Sequence, residues 1–264
     1  MKVHALTTGT VRLKDAFLHA RSGWRRQPAL FAPGEWSAPH PIHCWAVEHD
    51  GRVVLVDTGE TRAGSDLPFV RFEVGEDDEL PAALARAGLD AAAVDEIVLT
   101  HLHGDHMDGL VHLRGRPVHV HAPELAFARS PRGRVQSRLF KQPLPDGVDW
   151  QPLELDGGPF GAFAASRPLT PDGRIVVVAT PGHTDGHVSV VCVDDDGRHL
   201  LLAGDTTDTL DQLHARRPDA VSPKPGVQVA TIDRILAHAR EHPTVYLPAH
   251  DPASAERLAA ATTV

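Results

Sequence analysis

Eleven residues from Thr100 to Leu110, T-H-L-H-G-D-H-M-D-G-L, place His101, His103, Asp105 and His106 within six positions. In extended backbone, residues two apart point the same way, so His101 and His103 face one point. Gly104 lets the chain turn, and Asp105 and His106 then face a second point close by. Neutral imidazoles beside carboxylates suit zinc and similar divalent metals. The alternative is a polar loop of merely solvated histidines. Such density after the apolar run Ile97-Val98-Leu99 costs stability unless something is coordinated.

That apolar, β-branched run reads as a buried strand delivering the loop. Three later strands end in residues able to join it. Ile175 to Ala179 exits into T-P-G-H-T-D-G-H, giving His183; Leu200 to Ala203 exits into G-D-T-T-D-T, giving Asp205; Val245 to Leu247 exits into P-A-H-D, giving His250. Small or Pro residues before each let the backbone stop sharply near a crowded centre. Together they supply five His and two Asp, enough for two metals. Asp57, in V-D-T-G, is either a turn former or a partner that fixes the tautomer of a ligand histidine.

The remaining chain supplies the frame. Residues 1–13 suggest an opening strand or a hairpin around Gly9, and Ile42 to Glu48 with Arg52 to Val56 read as a hairpin turning at Asp50-Gly51. Residues 61–78 read as a polar connection. Leu80, Ala83, Leu84 and Ala87 sit at helical spacing before Gly88, and a second helix runs from about Val227 to Arg240. A short helical turn precedes the metal-loop strand, and residues 252–261 read as a terminal helix. His119 and His121 lie on an alternating strand and are read as surface or core residues. The Arg-rich run at 129–141 is read as a solvated face. Residues 14–40 lack a sustained period yet contain Trp24, Phe31 and Trp36. A loop of that length is expected to be an ordered flap covering substrate. No linker or repeat divides the chain, so residues 1–264 are expected to form one domain.

Composition narrows the function. Hydrophobic content of 42% and charged content of 23% are ordinary for a soluble globular protein. A net charge of -9 argues against nucleic acid as a partner. No run approaches the ~18 apolar residues of a membrane span, and the N-terminus lacks a signal-peptide core, so no membrane association and a cytoplasmic location are expected. Cys44 and Cys192 are expected to be buried free thiols. Most of the eighteen histidines must serve something other than metal.

From about Ile42 to Asp251 the chain resembles the metallo-β-lactamase-fold superfamily, whose hallmark is H-x-H-x-D-H followed by His, Asp and His at later strand ends. The resemblance implies an α/β fold, an αββα sandwich with metals in a cleft at the sheet edges. It implies one metal on His101, His103 and His183, a second on Asp105, His106 and His250, and Asp205 bridging both. Zinc is the expected metal; iron, manganese or cobalt also match these donors. β-Lactam-hydrolysing members generally have Cys or Ser at the bridging position, whereas this chain has G-D-T at 204–206. Glyoxalase II is similar through T-P-G-H-T-D-G-H but carries a helical extension, expected to be absent here because fourteen residues follow His250. Flavodiiron proteins replace the second histidine, here His103, with Glu.

The nearest likeness is to the N-acyl-homoserine lactonases, through W-A-V-E-H-D-G-R-V-V-L-V-D-T-G, L-T-H-L-H-G-D-H, A-G-D and a final A-H-D. It implies lactone ring opening by a metal-bridging hydroxide, with Asp105 and Asp205 as catalytic residues and a small molecule as substrate. Asp208 is a further catalytic candidate, either positioning substrate and carrying a proton or simply capping the following turn. A homodimer is compatible with this reading. One departure stands out: these lactonases commonly place Tyr three residues after the bridging Asp, where this chain has Asp208, and its only tyrosine is Tyr246. Phosphotriester, phosphodiester or aryl-ester hydrolysis would use the same hydroxide. A mononuclear iron oxygenase of the same fold would need one site only, and a metal-stabilised binding protein would need no chemistry at all.

Overall fold

The computed structural model describes residues 1–18 and 23–264, the Trp24 side chain excepted. Its strands are β1 (Lys2–Leu13), β2 (His40–His49), β3 (Arg52–Val56), β4 (Val70–Glu73), β5 (Glu96–Leu99), β6 (Pro117–His121), β7 (Asp149–Leu153), β8 (Ser166–Pro168), β9 (Ile175–Ala179), β10 (Val188–Val193), β11 (His199–Gly204) and β12 (Thr244–Pro248). One sheet runs β4-β1-β2-β3-β5-β6-β7 and the other β12-β11-β10-β9-β8.

Period-two alternation sorts the apolar residues into three layers. Trp45, Val47, Val54, Val56 and Val98 turn inward and meet Val177, Val190, Leu202 and Leu247 of the facing sheet. Their neighbours Cys44, Ala46, Leu55, Ile97 and Leu99 turn outward onto Leu80, Ala83 and Leu84 of the helix Leu80–Arg86. On the other sheet Val176, Val178, Val191, Leu201 and Tyr246 turn outward onto Ile232 and Ile235 of the helix Pro225–Glu241. Because helices cover both outer faces, strands β3, β5, β9, β10 and β11 read as nearly unbroken apolar runs. The result is the expected αββα sandwich in one domain.

The hairpin at Asp50-Gly51 forms with φ of 49° and 73°, the paired left-handed residues that a two-residue hairpin demands. Of the two readings open for residues 1–13, the structure takes the strand: β1 crosses Gly9 through a bulge, pairing with β2 on one side and β4 on the other. Gly9 has φ +96°, and a Cβ there would lie 2.7 Å from the Glu73 carbonyl oxygen. The polar connection 61–78 contains β4, a short edge strand whose Arg71 and Glu73 face solvent. Both cysteines are buried and free. Among the described residues no helix is long and apolar enough to cross a membrane.

Within residues 14–40, the helices Asp15–Leu18 and Arg26–Phe31 bury Phe17 and Leu30 against Leu13, Ile42 and Phe69. Phe31 is 58% exposed and meets Phe69 edge-on, and Trp36 carries the Arg71 guanidinium 4.1 Å above its ring. The Trp24 side chain lies outside the described residues.

Candidate metal centre

Every ligand-type residue from the sequence arrives at one end of the two sheets. His101, His103, His183 and Asp205 form one group and Asp105, His106 and His250 another, with the donor atoms of each group within 4.8 Å of one another. His101 Nε2 and His183 Nε2 each lie 2.9 Å from His103 Nδ1. Asp205 faces both groups. Its Oδ2 lies 3.4 Å from His183 Nε2, and its Oδ1 lies 3.2 Å from His106 Nε2 and 3.4 Å from His250 Nε2. His250 Nε2 is also 3.3 Å from Asp105 Oδ2.

The backbone delivers these groups through positions that exclude a Cβ. Gly204, just before Asp205, has φ +54°, and a Cβ there would stand 2.8 Å from His187 Nε2 and from Thr100. Asp57 itself sits at φ +60°, a conformation Asp tolerates better than most residues. That turn brings its carboxylate under the metal loop. Oδ1 accepts from the Thr100 amide at 2.7 Å, while Oδ2 accepts from Thr100 Oγ1 at 2.9 Å and from His106 Nδ1 at 2.8 Å.

These partners decide which ring nitrogens are free. His106 donates Nδ1–H to Asp57, and His183 donates Nδ1–H to Asp219 at 2.8 Å. His250 donates Nδ1–H to the Pro41 carbonyl at 3.0 Å. Thr100 spends its single hydroxyl proton on Asp57, so its oxygen accepts from His101 Nδ1 at 3.1 Å. Four rings therefore aim Nε2 lone pairs inward, and His103 aims Nδ1. The buried His106 Nε2 and Asp205 Oδ1 have no hydrogen-bond partner in the protein. Orphaned, converging imidazole and carboxylate atoms of this kind fit borderline divalent cations and little else.

The electrostatics divide the rings. Burial, followed by the neighbouring His183, pushes His103 down to about 4. Burial also opposes charge on His183, but the Asp219 carboxylate outweighs it and holds the ring up at about 9, so a cation binding Nε2 there must displace a proton. Burial works against the Asp205 carboxylate too, yet His106 and His250 keep it well below the usual range. Asp208 differs. It is 4% exposed, its Oδ2 has no partner, and burial with the charges of Asp219 and Asp205 lifts it to about 7.

Asp57 takes its partner role, one of the two readings open for it in the sequence. Asp219 does the same for His183 but lies in an irregular loop with no motif around it. Glu124 also escaped notice. From the helix Ala122–Arg129, its carboxylate accepts from the Leu102 amide, Thr184 Oγ1 and the Gly186 amide at 3.3, 2.9 and 3.1 Å, tying two ligand loops together. His187, the second histidine of T-P-G-H-T-D-G-H, accepts from the Asp205 amide at 3.1 Å. Tyr246 lies behind the centre, completely buried, its hydroxyl against Thr206 Oγ1 and Thr207 Oγ1. His119 and His121 stay out of both donor groups, bonded to Glu96 and to the Gly186 carbonyl. If Asp57 fixes the His106 tautomer, Asp57→Asn should weaken metal binding about 10–100-fold. Competition against a chelator measures this, and unchanged affinity would remove Asp57 from the account.

The chain matches the metallo-beta-lactamase superfamily over residues 38–250 and belongs to it. It is 32% identical over 173 residues to the probable metallo-hydrolase Rv2300c of Mycobacterium tuberculosis, covering 62% of this chain and 56% of that one. The chain thus spans little more than half the length of that relative. The N-acyl homoserine lactonase AttM of Rhizobium radiobacter is 26% identical over 229 residues, 80% of this chain and 82% of its own. An N-acyl homoserine lactone hydrolase, solved with N-hexanoyl-L-homoserine at its catalytic metal centre, shares the fold. Its TM-score is 0.74 at 19% identity, over 95% of this chain and 93% of that one.

Proposed function

We propose that the protein is a metal-dependent hydrolase that opens lactones, N-acyl-homoserine lactones above all, using two divalent ions. The observation that carries this reading is the division of Asp205, one oxygen toward each group of ligands. His101, His103, His183 and Asp205 Oδ2 would hold one ion; Asp105, His106, His250 and Asp205 Oδ1 would hold the other. Zinc is the expected metal. Such ions supply a nucleophile from water at neutral pH and polarise a carbonyl oxygen.

The chain's own residues do the rest. Asp57, Asp219 and Pro41 keep the ring protons on the far nitrogens, so no ligand changes tautomer during turnover. A lactone opens when water adds to the acyl carbon and the ring C–O bond breaks; the departing alkoxide then takes a proton. Asp208 Oδ2, buried, unpartnered and raised above the usual carboxylate range by burial, would hold that proton. It stands where related lactonases carry Tyr.

An acyl chain would lie along the apolar side chains that flank the metal loops. Ala220 follows the His183 partner Asp219, and Phe140 shortly precedes Gln142, whose Nε2 lies 3.4 Å from the Cβ position of Gly104 in the metal loop. Both belong to the cluster formed by Phe17, Leu30 and Phe69, with exposed Phe31 at its edge. Burying methylenes there contributes about 0.8 kcal/mol each, so kcat/KM should rise up to about fourfold per methylene until the wall is filled. Phe31→Ala should flatten that rise and spare short-chain lactones. Proton release in weak buffer, across C4 to C12 homoserine lactones and simple γ- and δ-lactones, tests the substrate class. Hydrolysis of a phosphotriester with no lactone opened would replace this reading with its nearest rival.

A further inference from the structure

Two hydrogen-bonded lines join the segment 14–40 to the metal centre, and neither was visible in the sequence. The first begins at Arg26, at the start of the helix Arg26–Phe31. Its Nη2 donates to the Ser222 carbonyl at 2.5 Å; Ser222 N donates to Asp219 Oδ1 at 2.6 Å; Asp219 Oδ2 accepts from His183 Nδ1 at 2.8 Å. Ser222 Oγ also donates to the Gly182 carbonyl at 2.6 Å, so the loop around Ser222 touches the His183 loop twice. The second line is a single side chain. Gln212, 5% exposed, donates Nε2–H to the Leu18 carbonyl at 3.1 Å and accepts the Asp208 amide on Oε1 at 2.7 Å.

We propose that Arg26 and Gln212 are positioning residues that couple docking of the helices Asp15–Leu18 and Arg26–Phe31 to the centre, Arg26 acting through Asp219 on His183 and Gln212 acting on Asp208. The physical basis is that each coupling group is committed at both ends. The Gln212 amide nitrogen donates to Leu18 while its oxygen accepts from Asp208, so displacing Leu18 either opens a buried donor or turns the side chain that holds the Asp208 backbone. Ser222 offers its carbonyl, in the peptide to Pro223, to Arg26, and its amide, in the peptide from Val221, to Asp219. The two planes meet at the Ser222 Cα, so moving the Arg26 end shifts the N–H that holds Asp219 through the φ and ψ of that one residue. Shifting either helix would thereby loosen the His183–Asp219 pair or Asp208. The proposal rests on reading the centre as a metal site, but not on the substrate being a lactone.

The test uses three variants of the metal-loaded full chain, each first checked for a wild-type melting profile. Arg26→Met removes the guanidinium, and Arg26→Lys keeps a donor for Ser222. Gln212→Glu keeps the acceptor for Asp208 and loses the donor for Leu18. Amide hydrogen exchange reads the segment and Asp208; metal release to a chelator reads His183. Arg26→Met should speed exchange at residues 26–31 and speed metal release by about tenfold or more, the scale of losing a ligand's hydrogen-bond partner, and Arg26→Lys should restore both. Gln212→Glu should speed exchange at residues 15–18 and at the Asp208 amide together. Faster exchange in the segment, with metal release and Asp208 exchange as in wild type, would show mere docking and overturn the proposal. So would unchanged exchange in the segment. Neither readout requires turnover, so failure of the lactone reading would leave both results interpretable.

Discussion

Asp205→Asn should abolish turnover and empty the centre, whereas Asp208→Asn should keep its metal. Among the described residues Asp205 is the one carboxylate within reach of both donor groups, and its Oδ1 is buried with no protein hydrogen-bond partner. Neutralising it leaves two cations to share a pocket that has lost the negative charge between them. Breaking a buried charge pair costs about 3–5 kcal/mol, which corresponds to on the order of 10²–10⁴-fold in rate or affinity. Asp208 carries no such burden. Its loss should lower kcat by about 10²-fold, the lower end of what a positioned proton donor contributes. Metal content and kcat measured side by side on the two variants separate the roles. An active, metal-loaded Asp205→Asn protein would mean that the ligand map is wrong.

Metal removal should produce the second large effect, on stability. Without cations, the centre confines five imidazoles and two carboxylates in a space where burial and mutual repulsion set their charges against one another. A ligand present at about a thousand times its dissociation constant stabilises the folded state by about 4 kcal/mol. For a chain of this size, each kcal/mol moves the melting temperature by about 2–4 °C, so exhaustive chelation should lower it by about 8–16 °C. Zinc should restore it. A melting temperature indifferent to chelation would leave the orphaned His106 and Asp205 atoms without an explanation.

The seven positions that the structure brings together were legible because each follows an apolar strand, where chain direction and burial are written in local pattern. The layers were legible for the same reason: alternate residues of β9, β10 and β11 divide cleanly between the inner and outer faces. What supports the ligands was less legible. Asp219 reaches His183 across 36 positions and Glu124 reaches Gly186 across 62, and no local period reports such contacts. Asp57 was half legible, since V-D-T-G marks a strand end but not whether its carboxylate turns inward. The aromatic residues of 14–40 show the limit of composition. The sequence supplied the rings, but packing assigned Phe17 to a buried cluster and Trp36 to Arg71. The strand β4 was hidden because an edge strand has only one partner and needs only alternate apolar residues, which a polar connection disguises.

The central claim is that two ions held by these seven residues open a lactone. Reloading metal-free protein with zinc in measured steps, while following homoserine-lactone opening by proton release, tests it in one titration. The account predicts that activity climbs to a plateau at about two equivalents per chain. A plateau at one equivalent, or no lactone opening at any loading, would contradict it.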